Sequence, residues 1–177
     1  MSTYNLTGVN VLIAEQNMSL RTMLRGVFRE LGVNHMTVVA TAGEAFDTYV
    51  AGAYDLVLID WAPAFDGIAL LKKIRSHPRS PNPFVPVIVM TANTETHHIY
   101  TARDSGMTEY LAKPLSAALI YRRICAVVEN HRPFVRVSRF FGPDRRRKKV
   151  NVSNNRRDAG RQAAAAAEAE AAASRSA

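Results

Sequence analysis

The stretch DLVLIDWAPAFDG, residues 55–67, contains the pattern that decides the fold. Its first part, DLVLI at residues 55–59, is rich in β-forming apolar residues and does not alternate with polar ones. Such a run is typical of a parallel strand that is buried on both faces. Asp60 follows the run directly, and Pro63 lies in the loop that comes next. The stretch therefore predicts a buried strand whose carboxyl end presents a carboxylate.

Similar apolar runs occur elsewhere in the chain, at residues 10–14, 36–40, 85–90 and 109–112. Amphipathic patterns with helical spacing accompany them, at residues 18–31, 42–52, 67–77, 95–106 and 116–131. Repeats of a strand followed by a helix predict an α/β fold built on a doubly wound parallel sheet. In such a sheet the ligand crevice lies at the carboxyl ends of the strands.

Polar residues follow the predicted strands at that edge. Glu15 and Gln16 come after the first strand, Asp60 after the third, Thr91 after the fourth and Lys113 after the fifth. Each residue has a local alternative, since Asp60 could cap a turn and Lys113 could lie along the surface. Together they would place carboxylates, a hydroxyl and an ammonium at one edge of the sheet, which favours a functional site there.

Four motifs in chain order, VLIAEQN, DLVLIDWAPAFDG, VIVMTA and YLAKP, resemble the receiver domain of bacterial response regulators, the CheY-like fold of two-component signalling. The resemblance covers residues 8–131 and implies a five-stranded sheet in the order 2-1-3-4-5. It implies that Asp60 accepts a phosphoryl group from a histidine kinase or phosphotransfer protein. The chain would then be a signalling protein that catalyses its own phosphorylation, and not a classical enzyme. Thr91 and Lys113 would bind the phosphoryl oxygens, and Tyr110 would change rotamer.

The resemblance also implies a Mg²⁺ site formed by Glu15, Gln16, Asp60 and the backbone carbonyl of Ala62. Gln16 departs from the family pattern, which has a carboxylate there, and a neutral amide oxygen is a poorer Mg²⁺ ligand than an anion. Pro63 arrives one residue earlier after Asp60 than the family pattern has it, so the loop is one residue short. We therefore expect the Ala62 carbonyl to be displaced and Mg²⁺ binding to be weakened.

Positive charge is concentrated near the C-terminus. Residues 1–132 contain 12 Lys and Arg against 11 Asp and Glu, a net charge of +1, whereas residues 133–177 contain 11 against 4, a net charge of +7. The sequence has no apolar run long enough for a transmembrane segment and no secretory signal at its N-terminus, which predicts a cytoplasmic protein. Its single cysteine, Cys125, cannot form an internal disulfide, in keeping with a reducing compartment.

The basic region includes an unusual stretch, RFFGPDRRRKK at residues 139–149. Guanidinium groups bind phosphates and the edge of guanine, phenylalanine rings stack on bases, and a carboxylate accepts hydrogen bonds from guanine. A CheY-like domain with such a tail resembles the Cle group of cyclic di-GMP effectors. That resemblance implies cyclic di-GMP as the ligand and action on a protein partner, with the flagellar motor or cell pole as the place of recruitment. The candidate nucleotide-binding residues are Arg136, Arg139, Phe140, Phe141, Asp144, Arg145, Arg146 and Arg147.

The predicted organisation has three segments: a receiver domain at residues 8–131, a flexible arginine-rich tail at 132–162 and an Ala-rich disordered or fraying helix at 163–177. A solvated tail, a nucleic-acid arm and a membrane-surface contact stay open as other uses of the basic region. Sequence-specific DNA binding is not expected, because the region contains no recognisable reading module.

The main alternative to a cyclic di-GMP effector is an ordinary phosphoacceptor, phosphorylated on Asp60, with a non-specific basic tail. The two functions differ in where the signal enters the protein. In both of them, the family resemblance places the surface that binds a protein partner on the fourth helix, the fifth strand and the fifth helix.

Overall fold

The computed structural model of the chain describes residues 4–130, 132–137 and 140–145. The main strands are β1 (Asn10–Ala14), β2 (His35–Val39), β3 (Leu56–Trp61), β4 (Val87–Thr91) and β5 (Glu109–Ala112). The helices are α1 (Met18–Glu30), α2 (Ala42–Ala51), α3 (Gly67–Ser76), α4 (Thr96–Asp104) and α5 (Ala117–Glu129). From β1 to α5 the strands and helices alternate, as the sequence predicts. In the described part of the chain, every helix is too short or too polar to span a lipid bilayer.

The five strands form one parallel sheet in the order β2-β1-β3-β4-β5. This arrangement confirms the predicted doubly wound α/β fold, including the strand order. Because all the strands run in the same direction, residues that end different strands meet at one edge of the sheet.

Apolar side chains form one packed layer on each face of the sheet. Alternate residues of one strand belong to different layers: Val57 and Ile59 to the first, Leu56 and Leu58 to the second. Helices α2, α3 and α4 contribute to the first layer, and α1 and α5 contribute to the second. The strands are therefore covered on both sides, which explains why their sequences are continuously apolar.

Strand β3 continues further than the sequence predicts. The apolar run ends at Ile59, yet Asp60 pairs with Met90 and Trp61 pairs with Thr91 in the β3–β4 register. Asp60 is therefore held by backbone pairing inside the sheet instead of lying in a loop. This pairing fixes the position of its carboxylate more firmly than the sequence alone indicates.

Residues 134–143 contain a β-hairpin that the sequence analysis does not predict. Its strands are β6 (Phe134–Val137) and β7 (Phe140–Pro143), which pair antiparallel. The first part of the predicted tail belongs instead to the same compact unit as the sheet, and that unit ends at Arg145. The β-branched and aromatic residues of FVRV and the two phenylalanines that begin FFGP favour strands, which supplies a physical reason. The predictions for residues 146–162 and 163–177 lie outside the described residues.

An aromatic cluster attaches the hairpin to the domain. Phe84, in the loop before β4, meets the rings of Phe134 and Phe141 edge-on at centroid distances of 5.2 and 5.3 Å. Arg132 donates a hydrogen bond to the carbonyl of Thr108, the residue just before β5. These anchors precede β4 and β5, so the hairpin lies at the amino-terminal edge of the sheet, opposite to Asp60.

Two glycines allow the hairpin to approach the domain closely. A Cβ atom at Gly142 would lie 2.6 Å from the Cα atom of Gly106, and Gly106 itself has a φ of 96°. A side chain at Gly142 would therefore force the two backbones apart, and one at Gly106 would be strained. The hairpin thus sits directly on the end of α4.

Candidate functional site

Three ionisable side chains meet at the carboxyl edge of the sheet. Glu15 follows β1, Asp60 lies near the end of β3 and Lys113 follows β5. The Nζ atom of Lys113 donates hydrogen bonds to Asp60 Oδ1 at 2.7 Å and to Glu15 Oε2 at 2.8 Å. Both carboxylates are buried, with exposed fractions of 0% for Glu15 and 1% for Asp60. The sheet topology thus brings together three of the predicted site residues.

The charges in this cluster do not cancel. Burial raises the pKa of Asp60; the hydrogen bond from Lys113 opposes that rise, and the charge of Glu15 adds to it. Burial alone would lower the pKa of Lys113, but its hydrogen bonds to Asp60 and Glu15 outweigh burial and the pKa is raised. With one ammonium facing two carboxylates, the cluster lacks one positive charge.

One carboxylate oxygen of Asp60 has no hydrogen-bond partner in the described part of the chain. Asp60 Oδ2 is buried and accepts no hydrogen bond from any described residue. Leaving a buried acceptor unsatisfied costs about 1–3 kcal/mol. Such a cost is tolerated at sites where a ligand or a reaction supplies the missing partner. This atom therefore marks the position at which the cluster can receive a cation or a phosphoryl group.

A cavity of about 510 Å³ opens beside Asp60, and Lys113 also lines it. Thr91, on the neighbouring strand, is only 4% exposed and its Oγ1 accepts a hydrogen bond from the Asn93 backbone at 3.1 Å. The cavity further contacts Trp61, Pro63, Asp66 and His98. The predicted hydroxyl and ammonium groups thus share one cavity with the carboxylate.

His98 is a site residue that the sequence analysis misses. Its ring stacks on Trp61 with centroids 4.6 Å apart, and the ring lines the same cavity as Asp60. Its Nδ1 atom is buried without a hydrogen-bond partner among the described residues. The available signal was its position in the first turn of α4, which begins beside the carboxyl edge of the sheet.

The loop after β3 closes into a tight turn. The amide of Phe65 donates to the Ala62 carbonyl at 2.9 Å, and the amide of Ala62 donates to the Phe65 carbonyl at 3.2 Å. The turn returns the chain so sharply that Gly67 packs against the backbone of Asp60, where a Cβ atom would lie 2.0 Å from the carbonyl oxygen. Gly67 is therefore required by close backbone contact beside the site.

The residues present fit a Mg²⁺ ion with a reduced set of ligands. The unpartnered Asp60 Oδ2 is an anionic oxygen of the kind that Mg²⁺ prefers. Both oxygens of Glu15 are already engaged, one by Lys113 and one by the backbone amide of Asn17 at 2.9 Å. Gln16 is exposed. The carbonyl of Ala62 already accepts the hydrogen bond of the turn, so one lone pair remains for a ligand.

Tyr110 lies on β5, three residues before Lys113, and is half-buried. It packs against the core layer beneath α2, α3 and α4, and the Arg123 guanidinium lies 5.3 Å from its ring centroid. Its ring therefore contacts the core on this face of the sheet and lies near one arginine of α5. The Lys113–Pro114 peptide bond that follows is cis.

The described candidate nucleotide-binding residues lie in or beside the hairpin, away from Asp60. Phe140 is only 8% exposed, and the Arg145 guanidinium lies 4.7 Å from its ring centroid. The Arg136 guanidinium lies 4.6 Å from the ring of Phe141. Asp144 follows β7 and is half-buried. The other predicted residues, Arg139, Arg146 and Arg147, lie outside the described residues.

Comparison with known families gives a match over most of the chain. The family described as the response regulator receiver domain matches residues 11–125. The chain is 28% identical over 122 residues to the chemotaxis protein CheY-3 of Vibrio cholerae, covering 68% of this chain and 92% of that protein. It is 25% identical over 122 residues to the chemotaxis protein CheY of Pseudomonas aeruginosa, covering 68% and 97%.

Solved structures agree with this match. The receiver domain of the Francisella response regulator 1452 is 30% identical, with a TM-score of 0.61, over 70% of this chain and 98% of that one. The receiver domain of a sensor histidine kinase from Pseudomonas aeruginosa is 31% identical, with a TM-score of 0.58, over 67% and 95%. That structure holds a magnesium ion in its active-site cleft.

Proposed function

This chain belongs to the response regulator receiver domain family of bacterial signalling proteins, and on that basis we propose that it is an atypical CheY-like response regulator with two inputs. One input is phosphorylation of Asp60 by a histidine kinase or phosphotransfer protein. The other is binding of cyclic di-GMP by the C-terminal region. The observation that carries the first input is the buried Lys113–Asp60 pair beside the unpartnered Asp60 Oδ2.

The geometry of the cluster suits transfer of a phosphoryl group. An oxygen of Asp60 attacks the phosphorus of the donor, a new P–O bond forms, and the bond to the leaving group breaks. Protein catalysis of this reaction consists mainly of positioning and of neutralising charge on the transferred oxygens. Lys113 supplies the fixed cation, and Thr91 supplies a hydroxyl on the adjacent strand in the same cavity. The domain performs this step on itself.

Mg²⁺ would be held by Asp60, with support from Glu15, Gln16 and the Ala62 carbonyl, and would supply the charge that the cluster lacks. We propose that its affinity is reduced, because Gln16 is neutral and exposed and the Ala62 carbonyl is shared with the turn. With a weaker metal site, Asp60 would be phosphorylated less efficiently than in a receiver with carboxylates at both positions 15 and 16. Phosphorylation would then be a weaker signal.

The second input rests on the chemistry around the hairpin. Arg136 and Arg145 are exposed cations beside the rings of Phe141 and Phe140. Phe140 is largely covered, so Phe141 is the ring better placed to stack on a base. Asp144 offers a carboxylate that could accept hydrogen bonds from guanine. Arg139, Arg146 and Arg147 would add further phosphate contacts.

Asp144→Ala separates specific guanine recognition from general attraction to an anion. If Asp144 reads guanine, we expect the substitution to weaken cyclic di-GMP binding by about 1–3 kcal/mol, the usual worth of a specific base contact. If the region is only a basic tail, removing a negative charge strengthens the attraction instead. Isothermal titration calorimetry on the full chain measures the sign.

Two controls accompany this measurement. Glu30→Ala removes the same charge at the exposed end of α1, which packs on the opposite face of the sheet from α3, and should leave affinity within about twofold. Cyclic di-AMP carries the same phosphates without the guanine edge and should bind markedly less well. Tighter binding by Asp144→Ala, with equal competition from both dinucleotides, would instead support the alternative function of an ordinary phosphoacceptor with a non-specific tail.

We place the output on the surface formed by α4, β5 and α5, through which the protein would bind its partner in the cytoplasm, with the flagellar motor or cell pole as the expected location. Tyr100 is 50% exposed on this surface, and its ring lies 4.5 Å from the Arg103 guanidinium. An exposed aromatic beside an arginine is a common anchor of protein interfaces.

Site-specific photocrosslinking in cells tests this placement. A photoreactive residue in place of Tyr100 should give a crosslinked partner. The same residue in place of Asp47 should not, because α2 packs against α3 and β1 and lies away from β5 at the far edge of the sheet. Crosslinks from Asp47 alone would move the output surface to α2 and α3.

A further inference from the structure

A groove of about 1010 Å³ lies between the last turn of α3 and the hairpin. Pockets for small molecules usually measure about 300–1000 Å³, so the groove is large enough for a dinucleotide. Its lining combines cationic and aromatic side chains: Lys72, Arg75, His77, Arg136, Phe140 and Phe141. The first three come from α3 and its C-terminal end, which the sequence analysis does not connect with binding.

Arg75 is a buried cation at the base of this groove. Its side chain is 3% exposed, and among the described residues it donates hydrogen bonds to three backbone carbonyls: Gly106 at 2.9 Å, Pro83 at 2.9 Å and Val85 at 2.7 Å. Its Nη2 atom is buried without a partner among the described residues. Burial lowers the pKa of Arg75 to about 9, so the guanidinium stays charged at neutral pH. A buried charge is normally paired with an opposite one.

The other charges around the groove do not supply that partner. Among the described residues that line it, Asp104 is the only carboxylate. Asp104 already pairs with Arg145 at 2.9 Å and with Arg103 at 3.1 Å, and these contacts hold its pKa low against the opposing effect of burial. Lys72 and Arg136 are both exposed and add positive charge. The groove therefore has an excess of cations and an unused buried donor.

We propose that this groove, and not the basic tail alone, holds the phosphates of the cyclic dinucleotide, with Lys72, Arg75 and Arg136 as the phosphate-facing cations and Phe141 as the stacking ring. The identity of the ligand rests on the proposed function, whereas the location rests on the groove itself. Guanidinium and ammonium groups bind phosphate through charge-assisted hydrogen bonds. A phosphate above Arg75 provides the opposite charge that this buried cation lacks.

Lys72 and its neighbour Lys73 give a matched pair of variants for the test. Both lie on α3 and are exposed, but Lys72 lines the groove while Lys73 lies over the ring of Phe46 at 5.8 Å. Calorimetry of the full chain with cyclic di-GMP should show about a tenfold loss of affinity for Lys72→Ala. Lys73→Ala removes the same charge and should stay within about twofold of the unaltered chain.

Chemical shift mapping on the full chain supplies a readout that needs no substitution. Binding in the groove should move backbone amide signals of residues 72–80 together with those of 134–141. Binding by the tail alone should move only signals beyond Arg145 and those next to them.

The outcomes distinguish the two claims. If the unaltered chain does not bind cyclic di-GMP, the proposed second input fails and this inference fails with it. If the chain binds but Lys72→Ala and Lys73→Ala have equal effects, and residues 72–80 do not respond, the groove is wrong while the proposed function stands. A larger effect of Lys72→Ala together with shifts in residues 72–80 supports the groove.

Discussion

Replacing Asp60 with asparagine is expected to abolish labelling of the chain by a small phosphodonor such as acetyl phosphate, and also to raise its stability against urea. The loss of labelling follows because an amide is not a nucleophile for phosphorus. The gain in stability follows because the folded protein holds two buried carboxylates against one ammonium. An asparagine leaves Glu15 and Lys113 as a balanced pair.

The pH dependence of this gain has a definite sign. The pKa of Asp60 is raised in the folded state, chiefly by burial, above its ordinary value of 3.8. The folded state therefore binds the proton more tightly, and ionisation of Asp60 lowers stability as the pH rises through the folded-state pKa. The asparagine variant should be more stable by about 1 kcal/mol at neutral pH, a typical gain where a functional residue is removed. The stability difference between the two proteins should disappear below the unfolded-state pKa, where Asp60 is protonated in both the folded and the unfolded state.

Asp66→Asn is the matched control for both measurements. Asp66 lines the same cavity but is exposed and caps α3, accepting a hydrogen bond from the Ala69 amide at 2.9 Å. Asparagine is an equally good cap, so stability should hardly change and labelling should persist. If labelling survives in Asp60→Asn but disappears in Asp66→Asn, the phosphoacceptor is Asp66 and the assignment to Asp60 is wrong.

Gly67→Ala is expected to destabilise the fold by about 3 kcal/mol or more, the range of severe packing defects. The added methyl group would lie 2.0 Å from the carbonyl oxygen of Asp60 and 2.8 Å from Cγ2 of Ile59. The nearest atom belongs to backbone that is paired within the sheet, so it cannot move aside alone. Urea unfolding followed by circular dichroism measures the change.

The same substitution in α1 should have the opposite sign. A Cβ atom at Gly26 would have no neighbour within 4 Å, and the residue lies inside a helix. Alanine there should stabilise the protein by up to about 1 kcal/mol through its higher helix propensity. If the two variants unfold at the same urea concentration, the close contact between α3 and β3 is not as tight as described.

The strands could be predicted from sequence because burial on both faces makes them apolar without interruption. β1 and β5 have the predicted bounds, and the carboxyl ends of the strands place Glu15, Asp60 and Lys113 at one edge. The extension of β3 through Asp60 and Trp61 could not be predicted from the apolar run, which ends at Ile59. A charged residue ends an apolar run even where backbone pairing continues, since pairing does not depend on the side chain.

The hairpin was missed because charge dominates the appearance of its sequence. FVRV and FFGP are separated by Ser138 and Arg139, and the usual signal of a short hairpin is a glycine or asparagine in the turn. Arg75 was missed for a related reason. An arginine at the end of an amphipathic helix normally reaches solvent, and only the packing of residues distant in sequence shows that this one is buried.

The attachment of the hairpin to Thr108 has a consequence for how the two proposed inputs would combine. Thr108 and Lys113 flank β5 on its two sides, about 16 Å apart at ~3.3 Å per residue of strand. Perturbations at well-separated sites usually contribute additively to a free energy. An input that contributes about 1.4 kcal/mol would change the equilibrium constant between the two states of the domain about tenfold. Two such inputs together would change it about a hundredfold. A strand only four residues long would thus serve as a coincidence detector, responding fully only when both signals are present.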